Sequence, residues 1–120
     1  MDQTPNAKSY DLEERTFQFA KRCRALVKNL PRTVCNLEDG KQLIRSSGSV
    51  AANYIEANES LSRKDFALRV KISRKEAKES RMWLRLIDGT HGKLEEERLS
   101  LMAEADELCK ILSTIVAKVR

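Results

Sequence analysis

Five cations in the third quarter of the chain, Lys71, Arg74, Lys78, Arg81 and Arg85, recur at intervals of three and four residues. At about 100° per residue they fall on one helical stripe roughly 80° wide. Ammonium and guanidinium groups in such a row bind phosphate oxygens, so the chemistry on offer is capture of a polyanion. Positions that could turn over a substrate are fewer. Asn53 and Glu56 lie one helical turn apart, and Glu76 and Glu79 repeat that spacing. A carboxylate pair can serve as general acid and base. It can equally pair with Arg45, Arg69, Arg81 or Arg85, and nothing in the pattern outlines a substrate pocket. The four are therefore read as a structural polar network that holds helices or subunits in register.

Other chemistries find less support. The run Ser46-Ser47-Gly48-Ser49-Val50-Ala51-Ala52 offers hydroxyls, but no histidine or lysine is placed to activate one. It also lacks the Gly-Lys-Ser/Thr ending of a phosphate-binding loop. Small residues at helical spacing instead suit close packing, which would offset the roughly 1 kcal/mol that Gly48 costs inside a helix. The single histidine, His91, sits between Gly89 and Gly92 in a turn. That excludes the Glu-x-x-His pairs of di-iron bundles. Cys23, Met82, Met102 and Cys109 read as core filler and not as haem ligands. Three cysteines, Cys23, Cys35 and Cys109, are odd in number with no CxxC, as expected of reduced, mostly buried thiols in a cytoplasmic protein. No catalytic residue, metal or cofactor is expected, and the protein is not read as an enzyme.

The elements that must position these side chains are helices. A chain of 120 residues with two prolines, four glycines, 34% charged and 5% aromatic residues reads as one all-α domain. Residues 1–9 read as a loose polar tail. The first helix is expected from Asp11, with Glu14 completing a capping box, to a stop at Pro31. Its apolar line is Phe19, Cys23, Leu26 and Leu30, beside Phe17, Ala20 and Val27. The second is expected from Leu37 to Asn58 with Leu37, Ile44, Gly48, Ala51 and Ile55 inward and Leu43, Val50 and Tyr54 beside them. The third follows the capping pattern Ser62 to Asp65 and runs to Asp88, ended by Gly89. The fourth covers Leu94 to Val119 on Leu101, Ala105, Leu108, Leu112, Ile115 and Val119. Short connections then imply an antiparallel, up-down-up-down four-helix bundle. The N-terminus is polar and carries no signal peptide, and no apolar run approaches the roughly 20 residues of a membrane span.

The third helix is apolar twice over. Phe66, Val70, Ala77 and Leu84 form one strip, and Leu68, Ile72, Trp83 and Leu86 another. A bundle helix needs one such strip for its own core, so the second is expected to meet another subunit. Charge is as uneven as hydropathy. The chain carries +5 overall, with +4 in residues 8–32 and +5 in residues 62–88, while the remainder is net negative. The basic surface therefore belongs to the first and third helices.

The stretch Arg45-Ser46-Ser47-Gly48-Ser49-Val50-Ala51-Ala52-Asn53-Tyr54-Ile55-Glu56-Ala57, followed by Lys64-Asp65-Phe66 and Arg74-Lys75-Glu76-Ala77-Lys78-Glu79-Ser80, carries a resemblance. It is similar to the four-helix-bundle proteins encoded in intervening sequences of bacterial 23S ribosomal RNA genes. The likeness extends from Tyr10 to the last helix and is densest between Gln42 and Leu86. Many members have glycine after the glutamate, where this chain has Ala57, so the second helix is expected to run slightly further. The resemblance implies a homopentameric ring. A related branch, the accessory variability protein of diversity-generating retroelements, is a basic pentamer that binds nucleic acid and works with a reverse transcriptase. Asn53, Glu56 and Glu79 match the family pattern as structural positions; the family supplies no catalytic residue.

Two functions follow as expectations. The first is a homo-oligomer that binds RNA or DNA, structured RNA foremost, through the basic stripe and the cations Lys21, Arg22, Arg24 and Lys28. The second is a scaffold or accessory subunit for a polymerase-type protein, its cations bridging to Glu95, Glu96, Glu97, Glu104 and Asp106 of a neighbouring subunit. Exposure or pairing of the stripe separates the two.

Overall fold

Thr33 and Ser62 accept hydrogen bonds from the backbone N–H groups of Asn36 and Asp65, at 3.1 Å each, and so begin two of the four helices. The computed structural model describes the backbone of residues 5–119 and the side chains of residues 11–119. In chain order the helices are α1 (Pro5–Lys28), α2 (Val34–Asn58), α3 (Arg63–Leu86) and α4 (Gly92–Lys118), with no strand among the described residues.

The first helix starts earlier than the capping box at Asp11 implies. Its backbone is already helical at Pro5, so Asp11 lies inside the helix and caps nothing. Proline fits the first turn, where its missing N–H would have no helical partner. Of the expected loose tail, residues 1–4 lie outside the described residues, and residues 5–9 belong to α1. At the other end α1 stops three residues before Pro31. α3 closes at Leu86, two residues before its expected end, and Gly89 takes the left-handed φ of +76° in the turn that follows.

Each helix packs on its neighbours in the order α1–α2–α3–α4, and α4 returns to α1. The bundle core is built from Phe19, Cys23 and Leu26 of α1, Leu43, Val50 and Tyr54 of α2, Val70, Ala77 and Leu84 of α3, and Leu101, Leu108 and Leu112 of α4. Of the expected inward line of α2, Ala51 is buried, and the core face is shifted onto the adjacent strip of Leu43, Val50 and Tyr54. Leu37 and Ile55 are exposed and Ile44 is half-buried, while Leu43, Ser46, Ser47, Val50 and Tyr54 face inward. The reason lies in the small hydroxyls. Ser46 and Ser80 meet at 2.8 Å between α2 and α3, and Ser73 donates to the Val50 carbonyl at 2.7 Å. Serine satisfied in this way fills a narrow seam that leucine could not. The close approach assigned to Gly48 is absent, since a β-carbon there would meet nothing within 4 Å. Crowding falls instead on Gly40, where a β-carbon would come to 3.0 Å from Val27, and on Gly89, where it would come to 3.2 Å from Pro31.

The loops at one end are tied together by Asn36, which is buried. Its Nδ2 donates to the carbonyls of Pro31 and Asp88, and its Oδ1 accepts from the Asp88 N–H. Nearby, Arg98 donates twice to Glu95 at 2.8 Å and once to the Leu84 carbonyl at 2.9 Å, so α4 helps to cap the end of α3. The Arg98 guanidinium, and after it the Thr90 hydroxyl, hold the Glu95 carboxyl at about 2, well below its ordinary 4.5. Because the folded value is the depressed one, this stabilisation is full above pH 4.5 and disappears as pH falls through about 2. Glu95→Gln is therefore expected to flatten the fall of melting temperature between pH 4.5 and pH 2 relative to the parent, measured by circular dichroism. Equal slopes would separate the cluster from acid stability.

Candidate nucleic-acid interface

The five cations of α3 divide into two groups. Arg81 turns towards α4 and pairs with Asp106, Nε to Oδ1 at 3.0 Å. Arg74 also leans on α4, where its Nη1 donates to the Ser113 hydroxyl at 3.3 Å. Both are half-buried. Lys71, Lys78 and Arg85 are exposed and form no ion pair among the described residues. Lys64 and Lys75 join them, exposed and equally without an acidic partner among the described residues. The signal for these two was present in the sequence. On a helical projection they fall beside Lys71 and Lys78, but outside the 3-4-3-4 row. The solvent-facing strip is thus Lys64, Lys71, Lys75, Lys78 and Arg85.

Successive members at seven-residue spacing stand about 10 Å apart along the axis. That distance is comparable with the screening length of about 8 Å at physiological salt. Cations spaced in this way would meet a polyanion as separate contacts. Leu68, Met82 and Leu86 are exposed on the same helix and flank the cations with apolar surface. On the far side of that surface Trp83 is half-buried, and its indole N–H has no hydrogen-bond partner among the described residues.

α1 carries the second basic surface. Arg22 is bound to Glu97 and Ser100, and Arg15 to Glu104, both across the α1–α4 seam. Lys21, Arg24 and Lys28 remain exposed, with Lys21 over the Phe17 ring at 6.0 Å. α1 does not pack on α3, so this surface and the α3 strip lie on different flanks of the bundle. The acids of α4 are spent largely within the chain: Glu95 on Arg98, Glu97 and Glu104 on α1, and Asp106 on Arg81.

The polar residues fall between α2 and α3. Arg45 bridges the buried Glu76 at 3.1 Å and the half-exposed Glu79 at 3.3 Å. Asn53 donates to the carbonyl and hydroxyl of Ser49 and accepts from Arg69 at 3.3 Å. Glu56 is exposed, and its carboxylate has no hydrogen bond among the described residues. Glu56 is therefore not brought together with Glu76 and Glu79. No group of three or more His, Cys, Asp and Glu side chains able to hold a metal occurs among the described residues. The thiols divide by burial. Burial pushes Cys23 up to about 12 and raises Cys109, so neither is a ready nucleophile. Cys35 is exposed, against the expectation of mostly buried thiols. None of the four helices is long and apolar enough to cross a membrane, among the described residues.

Residues 8–114 match the family model of the 23S rRNA-intervening sequence protein. A crystal structure of a protein of unknown function from the S23 ribosomal protein family of Bacteroides thetaiotaomicron VPI-5482, at 1.70 Å resolution, is similar throughout. It shares 30% identity and a TM-score of 0.75, over 92% of this chain and 98% of that one. Comparison with curated proteins finds no match.

Proposed function

The chain belongs to the 23S rRNA-intervening sequence protein family, and from that premise we propose that it binds structured RNA as a non-enzymatic, ring-forming homo-oligomer. The observation that carries this reading is the strip Lys64, Lys71, Lys75, Lys78 and Arg85, exposed and free of ion pairs among the described residues. Lysines left without acidic partners on one helix keep their full attraction for phosphate. Repeated around a ring, a modest strip becomes multivalent. The up-down-up-down arrangement is supported by paired numbers that run in opposite directions. Arg15 meets Glu104 while Arg22 meets Glu97, and Ser46 meets Ser80 while Asn53 meets Arg69. Assembly into a homopentamer is supported by the exposed Leu68, Met82 and Leu86. A subunit docked there would cover that apolar surface.

The same apolar residues favour a second reading. A protein partner, such as a polymerase-type subunit, would use Leu68, Met82 and Leu86 as its contact and the lysines as its rim. Titration of a structured RNA against the assembled protein, its size checked by light scattering, distinguishes the two. On the RNA reading affinity falls steeply with salt, with a slope of log K against log salt of about −0.9 per phosphate engaged, hence near −3 or steeper. Absence of binding at low salt would leave the scaffold as the surviving reading.

A further inference from the structure

The seam between α1 and α4 is the most thinly packed of the four, and at one end it opens. Beyond the Arg15–Glu104 bridge lies a cavity of about 550 Å³, walled by Leu12, Phe66, Ile111 and Ile115 and reaching Tyr54 of α2. That volume lies within the range of small-molecule sites, about 300–1,000 Å³. The walls are apolar, and the charges at the mouth largely cancel. Arg15 is held in two hydrogen bonds by Glu104, and Asp11 and Lys118 are opposite in sign.

One polar group inside is unclaimed. Tyr54 is 3% exposed, and its hydroxyl makes no hydrogen bond among the described residues. Tyr54 is one of the residues that line this cavity. A phenol donor in an otherwise apolar chamber is a selective feature, because leaving it unpaired is unfavourable and an acceptor on a guest corrects that.

We infer that this chamber is a binding site for a small, neutral, largely apolar molecule with one hydrogen-bond acceptor, which accepts a hydrogen bond from the Tyr54 hydroxyl while its body packs on Phe66, Ile111 and Ile115. The site lies at the α1–α4 seam, apart from the solvent-facing lysines of α3, and stands independently of the RNA reading. Coumarin serves as the probe, a neutral bicycle with a carbonyl acceptor, and naphthalene as a probe of similar size with no acceptor. Calorimetric titration of the intact chain is expected to show coumarin binding more tightly than naphthalene by about tenfold. Tyr54→Phe should erase that difference while leaving naphthalene affinity unchanged. Ile111→Trp, which fills the chamber, should abolish binding of both with helix content preserved by circular dichroism. Failure of coumarin to bind at millimolar concentration overturns the site. So does coumarin binding that Ile111→Trp leaves intact, and a preference that survives in Tyr54→Phe removes the role of the hydroxyl.

Discussion

Replacing Lys71, Lys78 and Arg85 together by glutamate is expected to weaken binding of a structured RNA by roughly a hundredfold at physiological salt, with helix content and assembly unchanged. Three exposed phosphate contacts at about 1 kcal/mol each account for that factor. The salt slope should fall by about three in the same variant. These side chains stand in solvent without ion pairs among the described residues, so their removal breaks nothing inside the bundle. Arg74→Glu/Arg81→Glu is the informative contrast. Those two side chains contact Ser113 and Asp106 of α4. Their reversal should lower the melting temperature more and the RNA affinity less. If the two variants behaved the other way round, the binding surface would belong to the α3–α4 groove and not to the outer strip.

Ala77→Phe is expected to destabilise the bundle by about 3 kcal/mol, at the upper end of the usual penalty for overpacking a core. Ala77 is fully buried at the centre of α3. On one side Ser73 and Ser80 bond to α2, and on the other Arg74 and Arg81 contact α4. A phenyl ring there has to push α3 away from both neighbours and would stretch the hydroxyl contacts that hold the seam. The corresponding fall in melting temperature is roughly 10 °C. Lys75→Ala, on the exposed side of the same helix, should stay within about 0.5 kcal/mol. Thermal unfolding of the pair measures both. A well-tolerated Ala77→Phe would mean that the helices can separate without loss, and that close packing is not what the small residues provide.

The helical architecture was readable because its punctuation is chemical. Ser62 caps α3 as its hydroxyl suits it to do, whereas Gly89 takes its positive φ in the turn beyond the Ile87 cap and does not itself end the helix. The start of α1 was misread because Asp11 and Glu14 have the spacing of a cap, whereas a proline ahead of them also suits a first turn. On α2 two stripes compete. Leu37, Ile44 and Ile55 stay outside the core, and the buried face combines Leu43, Val50 and Tyr54 with serines small enough for close approach, Ser46 bonded to Ser80 across the seam. Periodicity alone cannot rank those terms. The α3 cations were visible as residue types, but which of them α4 claims depends on Asp106 and Ser113, residues 25 and 39 positions away. The polar residues show the same limit. Arg45 selects Glu76 and Glu79 across the α2–α3 seam and leaves Glu56, of the same type, in solvent.

Three of the four seams join helices that are consecutive in the chain, linked by a few residues each, and the fourth joins the first helix to the last. In terms of assembly in time, the consecutive pairs close small loops and form early, as in other fast-folding helical proteins. Closure of α1 on α4 spans nearly the whole sequence and is fastened by two partly exposed Arg–Glu pairs over sparse apolar contact. It is therefore expected to be the last joint to form and the first to loosen.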